Sequence, residues 1–240
     1  MKITLFVPCF MNAMYPQAGM SMVTVLERLG HTVDWHENTF CCGQPGFNAG
    51  YWDEARIIAG PVVKTLAADG ADAIVIGSGS CGAMLKVFYG DLFKDTPLAA
   101  EAAVVSARTW EFSDFLVTKL GVTDVGARFP GKVTFHDGCH GFRELKIKQQ
   151  PRKLLAHVQG LELVEMREAE TCCGFGGTFS AKFPAISTAM GEVKCASALE
   201  TEAEYIVSND ASCLMQIQGL ADRQRKPIKT LTLAEVLARQ

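Results

Sequence analysis

A doubled cysteine followed by glycine occurs twice in this chain, as Cys41-Cys42-Gly43-Gln44-Pro45-Gly46 and as Cys172-Cys173-Gly174-Phe175-Gly176-Gly177. Each copy has outlying cysteines at matched distances. Cys9 precedes Cys41 by 32 positions and Cys139 precedes Cys172 by 33; Cys81 follows Cys42 by 39 and Cys213 follows Cys173 by 40. Two independent spacings repeated in this way point to an internal duplication, with one cysteine quartet per copy.

The surrounding sequence says how such distant cysteines can meet. Apolar, β-rich runs end just before each of them: Ile3 to Val7 before Cys9, Thr32 to His36 before Cys41, and Ala73 to Ile76 before Cys81. The second copy repeats this with Val133 to His136, Leu161 to Met166 and Tyr205 to Val207. Between them lie segments with helical spacing, at Pro16 to Leu29, Asp53 to Ala68, Ala99 to Ala107, Phe112 to Leu120, Pro151 to Val158 and Ala185 to Leu199. Pro61 should kink or restart the second of these. Ile228 to Thr230 reads as a last strand, and Thr232 with Glu235 spells a capping box for a closing helix. Gly121 to Gly131, with three glycines and Pro130, marks a boundary that divides the chain into 1–125 and 126–240.

Strands alternating with helices imply an α/β architecture: two similar halves, each a small parallel sheet flanked by helices in a Rossmann-like arrangement, related by a pseudo-twofold axis. In such sheets the loops after the strands gather at the carboxyl edge, where ligands bind. Cys9, Cys41, Cys42 and Cys81 would converge there in the first half, and Cys139, Cys172, Cys173 and Cys213 in the second. Four converging thiolates suit zinc or an iron–sulfur cluster. The glycine after each pair lets backbone N–H groups approach sulfur. Cys195, the ninth cysteine, lies inside a helical run, has no twin and reads as core packing.

Other readings are excluded by composition or motif. The formal net charge is -3, with no basic excess to draw nucleic acid. No apolar run is long enough to span a membrane, and the N-terminus reads as a buried strand rather than a signal peptide, so the expected compartment is the cytoplasm. In a reducing compartment, nine cysteines read as ligands or redox groups rather than disulfides. The second glycine loop is not a dinucleotide fingerprint, because Phe179 stands where that pattern needs glycine. Arg143, Lys146, Lys148, Arg152 and Lys153 form a basic run that is either a solvated helix face or a docking patch. Met11, Met14, Met20 and Met22 read as core or interface. His136 and His140 flank Cys139 and are open to structural, ligating or proton-transfer roles.

The motifs Cys41-Cys42-Gly43 and Cys172-Cys173-Gly174, with the run His136-Asp137-Gly138-Cys139-His140, resemble the cysteine-rich CCG-domain family, to which the B subunit of heterodisulfide reductase belongs. The resemblance covers essentially the whole chain. It implies an iron–sulfur subunit, with [4Fe-4S] favoured, of an L-lactate oxidation system, with lactate utilization proteins B and C as partners and an acceptor it does not identify. The chain has no ferredoxin-type cysteine run and no flavin fingerprint, so the implied role is that of one subunit of an oxidoreductase complex. The family motif ends in Cys-x-x-Cys, whereas here Ser78 and Asp210 take the place of a fifth cysteine in each half. Either would supply an oxygen ligand if it reached the metal. The alternatives are zinc in one or both halves, serving assembly without electron transfer, and thiol–disulfide chemistry like that of the heterodisulfide reductases.

Overall fold

A computed structural model describes residues 1–37 and 41–240. The first half runs β1 (Lys2–Phe6), α1 (Cys9–Met14), α2 (Pro16–Arg28), β2 (Thr32–Asp34), α3 (Gln44–Asn48), α4 (Trp52–Ala68), β3 (Ala73–Ile76), α5 (Gly79–Ala83), a π-helical turn Met84–Phe88, α6 (Tyr89–Leu92), α7 (Ala99–Arg108), β4 (Thr109–Glu111) and α8 (Phe112–Asp114), which continues into a second π-helical turn, Phe115–Lys119. The second half runs β5 (Arg128–His136), α9 (Cys139–Arg143), α10 (Gln149–Leu155), β6 (Gln159–Leu163), α11 (Thr178–Lys182), α12 (Pro184–Leu199), β7 (Tyr205–Ser208), α13 (Ala211–Arg223), β8 (Lys229–Thr232) and α14 (Leu233–Ala238). Residues 121–127, between them, carry neither helix nor strand.

The two sheets repeat one topology, β2-β1-β3-β4 and β6-β5-β7-β8, with every pairing parallel. In each, the chain steps outward from the first strand and then returns to its other side. That places a topological switch between β1 and β3, and another between β5 and β7. The register puts equivalent ends side by side, Phe6 opposite Ile76 and His136 opposite Ser208. The central strands are covered on both faces, which is why β3 is a run of four buried residues.

The halves meet through reciprocal contacts. Helix α5 of the first half packs on α9 of the second, and its counterpart α13 packs on α1. Helix α2 packs on α14, while α10 packs on α8 and the turn after it. Exchanging the halves exchanges these contacts, the signature of a twofold arrangement inside one chain. One apolar cluster draws Ile3, Val25 and Leu26 from the first half together with Val133, Leu155 and Leu237 from the second. Arg28 of α2 ties the same seam, donating to the carbonyls of Val125, Leu237 and Ala238 at 3.0, 3.1 and 2.6 Å. The far face of each sheet has its own cluster.

Three expectations need correction. Pro61 does not break α4, which runs through it from Trp52 to Ala68. The proline leaves the carbonyl of Ile57 without its usual donor, and Ile57 is 76% exposed, on the solvent side of the helix. The first sheet also has a fourth strand, β4, in the gap between the two segments read as helical, Ala99 to Ala107 and Phe112 to Leu120. Finally, four of the patterned cysteines are not in loops but in the first turns of helices: Cys9 opens α1, Cys139 opens α9, and Cys81 and Cys213 are the third residues of α5 and α13. The capping box stands as read: Thr232 accepts from the N–H of Glu235, whose carboxylate accepts from the N–H of Thr232 at 2.8 Å.

Candidate functional site

All eight patterned cysteines line one cleft of about 240 Å³ between the halves, with Phe10, His140 and Phe175 among its walls. The topology explains the convergence. Helix α1 starts at the end of β1 and α5 at the end of β3, so Cys9 and Cys81 flank the switch of the first sheet; Cys41 and Cys42 come from the segment after β2. Helices α9 and α13 and the segment after β6 do the same with Cys139, Cys213, Cys172 and Cys173. Reciprocal packing of α5 on α9 and of α1 on α13 then turns both carboxyl edges toward one cleft. The rings of Phe10 and Phe175, from opposite halves, meet at 5.7 Å.

Within each quartet the sulfurs form a chain of neighbours. Cys41 hydrogen-bonds to Cys9 and Cys42, and Cys42 to Cys81. Cys172 hydrogen-bonds to Cys139 and Cys173, and Cys173 to Cys213. Hydrogen bonds from Cys42 and then Cys9 hold Cys41 far below the usual thiol range, and those from Cys139 and then Cys173 do so for Cys172. Cys9 and Cys139 are pushed far up, first by the bonds to Cys41 and Cys172 and then by burial, and Cys42 and Cys173 first by the bonds to their sulfur neighbours on both sides and then by burial. Ionising all four would crowd like charges together unless a cation joined them.

The glycines after the pairs are fixed by geometry. Gly43 and Gly174 have φ of +84° and +90°, a region that side chains rarely enter. A Cβ on Gly174 would also stand 2.4 Å from the Ser187 carbonyl oxygen, and one on Gly43 3.0 Å from that of Ala55. This turn lets the Gly174 N–H donate to Cys172 Sγ at 3.4 Å and the Phe175 N–H to Cys173 Sγ at 3.5 Å. Gly174→Ala is therefore expected to cost about 2–5 kcal/mol, adding left-handed strain to overpacking. Thermal unfolding reads that loss.

Ser78 and Asp210, the two departures from the family pattern, find each other. They occupy equivalent positions, so the twofold arrangement brings them together at the seam. Ser78 Oγ donates to Asp210 Oδ1 at 2.8 Å, and the Ser80 N–H donates to the same oxygen at 3.2 Å. Asp210 is buried and reaches the cleft lining.

Behind the second quartet lie a buried histidine and a buried lysine, where the first has the buried Tyr89, whose hydroxyl donates to the Cys42 carbonyl at 3.2 Å. His136 is fully buried at the end of β5, and one of its ring nitrogens lies within 4.8 Å of both Cys173 Sγ and Cys213 Sγ. Burial pushes it down to about 3, so the ring is neutral. Lys194 of α12 is also fully buried; its ammonium donates to the carbonyls of Glu168 and Ala169. Burial pushes that ammonium down to about 8, with Cys173 and Cys213 pulling the other way. In the first half, Glu111, at the end of β4, is pushed up to about 8 by burial, and caps α8 through the N–H groups of Ser113 and Asp114. Lys194 had a readable signal: the face Ser187, Gly191, Lys194, Cys195, Ala198 has helical spacing and is buried throughout. Glu111 had none, because its burial depends on tertiary packing.

The remaining candidates fall into place. His140 lines the cleft with Nδ1 3.7 Å from Cys139 Sγ. Cys195 is buried in the apolar cluster behind the second sheet and does not line the cleft. Met11 and Met22 are core, whereas Met14 and Met20 are exposed. The basic run is partly neutralised within the chain. Arg152 makes a paired contact with both Asp137 oxygens at 2.7 and 2.9 Å and reaches Glu165, while Lys148 pairs with Glu170. No helix among the described residues is long and apolar enough to cross a membrane.

The sequence profile of the cysteine-rich domain CCG matches twice, at residues 3–86 and 133–218. The chain is 44% identical over 237 residues to lactate utilization protein A of Geobacillus kaustophilus, covering 99% of this chain and 98% of that one. It is 40% identical over 240 residues to lactate utilization protein A 2 of Bacillus cereus, covering 100% and 98%. Among solved structures, a hypothetical protein from Helicobacter pylori matches with a TM-score of 0.63 at 10% identity, over 98% of this chain and 48% of that one; it bears on the fold alone.

Proposed function

Because the chain belongs to the cysteine-rich CCG family, and over its full length to the lactate utilization protein A family within it, we propose that it serves L-lactate oxidation as a metal-carrying electron-transfer subunit. The observation that carries this reading is the convergence of two complete cysteine quartets on one cleft. The donor set suits the group: four soft sulfurs per quartet, already neighbours, with backbone N–H groups directed at them. Cys9, Cys41, Cys42 and Cys81 would hold one iron–sulfur cluster, and Cys139, Cys172, Cys173 and Cys213 the other. When bound, such clusters supply one-electron transfer, and four thiolates per half suit the [4Fe-4S] type.

The rest of the work falls to the chain. The walls formed by α5, α9, α1 and α13 hold the two quartets at a fixed separation. Phe10 and Phe175 meet across the halves and form part of the apolar wall of the cleft. Asp210 and Ser78 satisfy each other where a fifth cysteine would stand, which favours a four-sulfur site over a five-sulfur one. Electrons would pass between a lactate-oxidising centre and an acceptor on partner subunits, with lactate utilization proteins B and C as the partners this reading expects. The halves 1–125 and 126–240 would each supply one centre.

Anaerobically isolated protein is expected to be brown and to bleach on reduction. A colourless preparation holding stoichiometric zinc would contradict the electron-transfer role. A strain carrying Cys42→Ala and Cys173→Ala together is expected to lose growth on L-lactate while keeping growth on pyruvate; unchanged growth on L-lactate would contradict the physiological part.

A further inference from the structure

We infer that the two centres are chemically unlike, and that His136 is a metal ligand of the second: a mixed imidazole–thiolate site with Cys173 and Cys213, facing an all-thiolate site in the first half. The inference rests on the reading that the quartets hold metal, and it deepens that reading by assigning a ligand outside them.

Three observations carry it. First, a His136 ring nitrogen, Cys173 Sγ and Cys213 Sγ lie within 4.8 Å of one another, close enough for a single ion to touch all three, and all three residues are buried. Second, neither ring nitrogen of His136 has a hydrogen-bond partner, although the residue is fully buried. The carbonyl of Ala169 nearby is already taken, by the Asp137 N–H at 3.0 Å and the Lys194 ammonium at 3.2 Å. A buried imidazole with both nitrogens unmet is a costly arrangement, and one metal bond would relieve it. Third, the duplication supplies an internal control. His136 stands three residues before Cys139 at the end of β5; three residues before Cys9, at the end of β1, stands Phe6, buried in apolar packing.

The asymmetry extends one layer further. Gly43 abuts Ala55 on α4, and Gly174 abuts Ser187 on α12. Aligning the two helices on those residues puts Lys194 opposite Val62. The second half thus gains an imidazole and a buried ammonium where the first has a phenyl ring and an isopropyl group. Replacing thiolate by imidazole ligation, and placing a cation behind the site, both raise a centre's reduction potential. The second centre is therefore expected to be the more readily reduced of the two.

The test is a crystal structure of the anaerobically isolated holoprotein, with metal analysis and a redox titration of the full-length His136→Phe variant, which copies the arrangement of the first half. A metal atom about 2.0–2.2 Å from a His136 nitrogen is expected. The variant keeps four thiolates in the second quartet, as the first half has, so it is expected to retain metal in both halves while its second centre becomes harder to reduce, approaching the first. A metal in the second half with both ring nitrogens outside bonding distance would overturn the inference, as would a folded variant whose second centre is reduced at the parent's potential. Should the variant fail to fold, the holoprotein structure decides alone. Metal in the first quartet with His136 unbound would defeat this inference and leave the proposed function standing; absence of metal from both quartets would defeat both.

Discussion

Cys173→Ala is expected to empty the second quartet and leave the first loaded, and Cys42→Ala to do the reverse. These two cysteines are the best test because each is the inner link of its chain of sulfurs. Cys42 bridges Cys41 and Cys81, Cys173 bridges Cys172 and Cys213, and both are only 2% exposed. Alanine there removes one donor of four and leaves a small void that no neighbouring sulfur can fill. Each variant should carry about half the metal of the parent and the double variant almost none. Stability should fall in step, because metal binding in such sites is coupled to folding. Metal content and unfolding midpoint, measured on anaerobic protein, read both effects. Loss of all metal from either single variant would mean that the cleft holds one shared centre, contrary to the two-site account.

Gly79→Ala is expected to damage both centres at once. Its Cβ would stand 2.7 Å from both the Cα and the backbone nitrogen of Gly141, and 2.9 Å from Asp210 Oδ2. Two of those three atoms are backbone, so no side-chain rotation relieves the clash, and α5 and α9 must move apart. Overpacking of that kind costs about 1–3 kcal/mol. Separation would also break the Ser78–Asp210 bond and strand a buried carboxylate, for about 1–3 kcal/mol more. For a chain of this size each kcal/mol lowers the melting temperature by about 2–4 °C. Because α5 carries Cys81 and α9 opens on Cys139, the displacement reaches both quartets. A melting temperature and metal content equal to the parent's would show that this seam does not hold the cleft together.

The duplication was legible because it is written in spacing, and spacing survives without tertiary information. The same spacing, joined to the strand–helix rhythm, sufficed to place Cys9, Cys41, Cys42 and Cys81 on one edge and their four counterparts on another. That the two edges face one cleft was not legible, since it depends on the packing of α5 on α9 and of α1 on α13. The pairing of Ser78 with Asp210 was hidden for the same reason: read singly, each is a polar substitute for cysteine, and only the seam makes them partners. Strand β4 was missed because three residues, Thr109, Trp110 and Glu111, carry no period of their own. Their extended form comes from pairing with β3. Pro61 was over-read, because the cost of proline in a helix depends on its surroundings, and here it falls on a turn whose Ile57 is 76% exposed.

Native mass spectrometry of the anaerobically isolated full chain tests the central claim most directly, since it weighs metal and inorganic sulfide on each molecule. The account predicts a single dominant species with two metal centres per chain, both lost when the cysteines are alkylated under denaturing conditions. A chain that carries no metal, with Cys9, Cys41, Cys81, Cys139 and Cys172 freely alkylated in the native state, would contradict it.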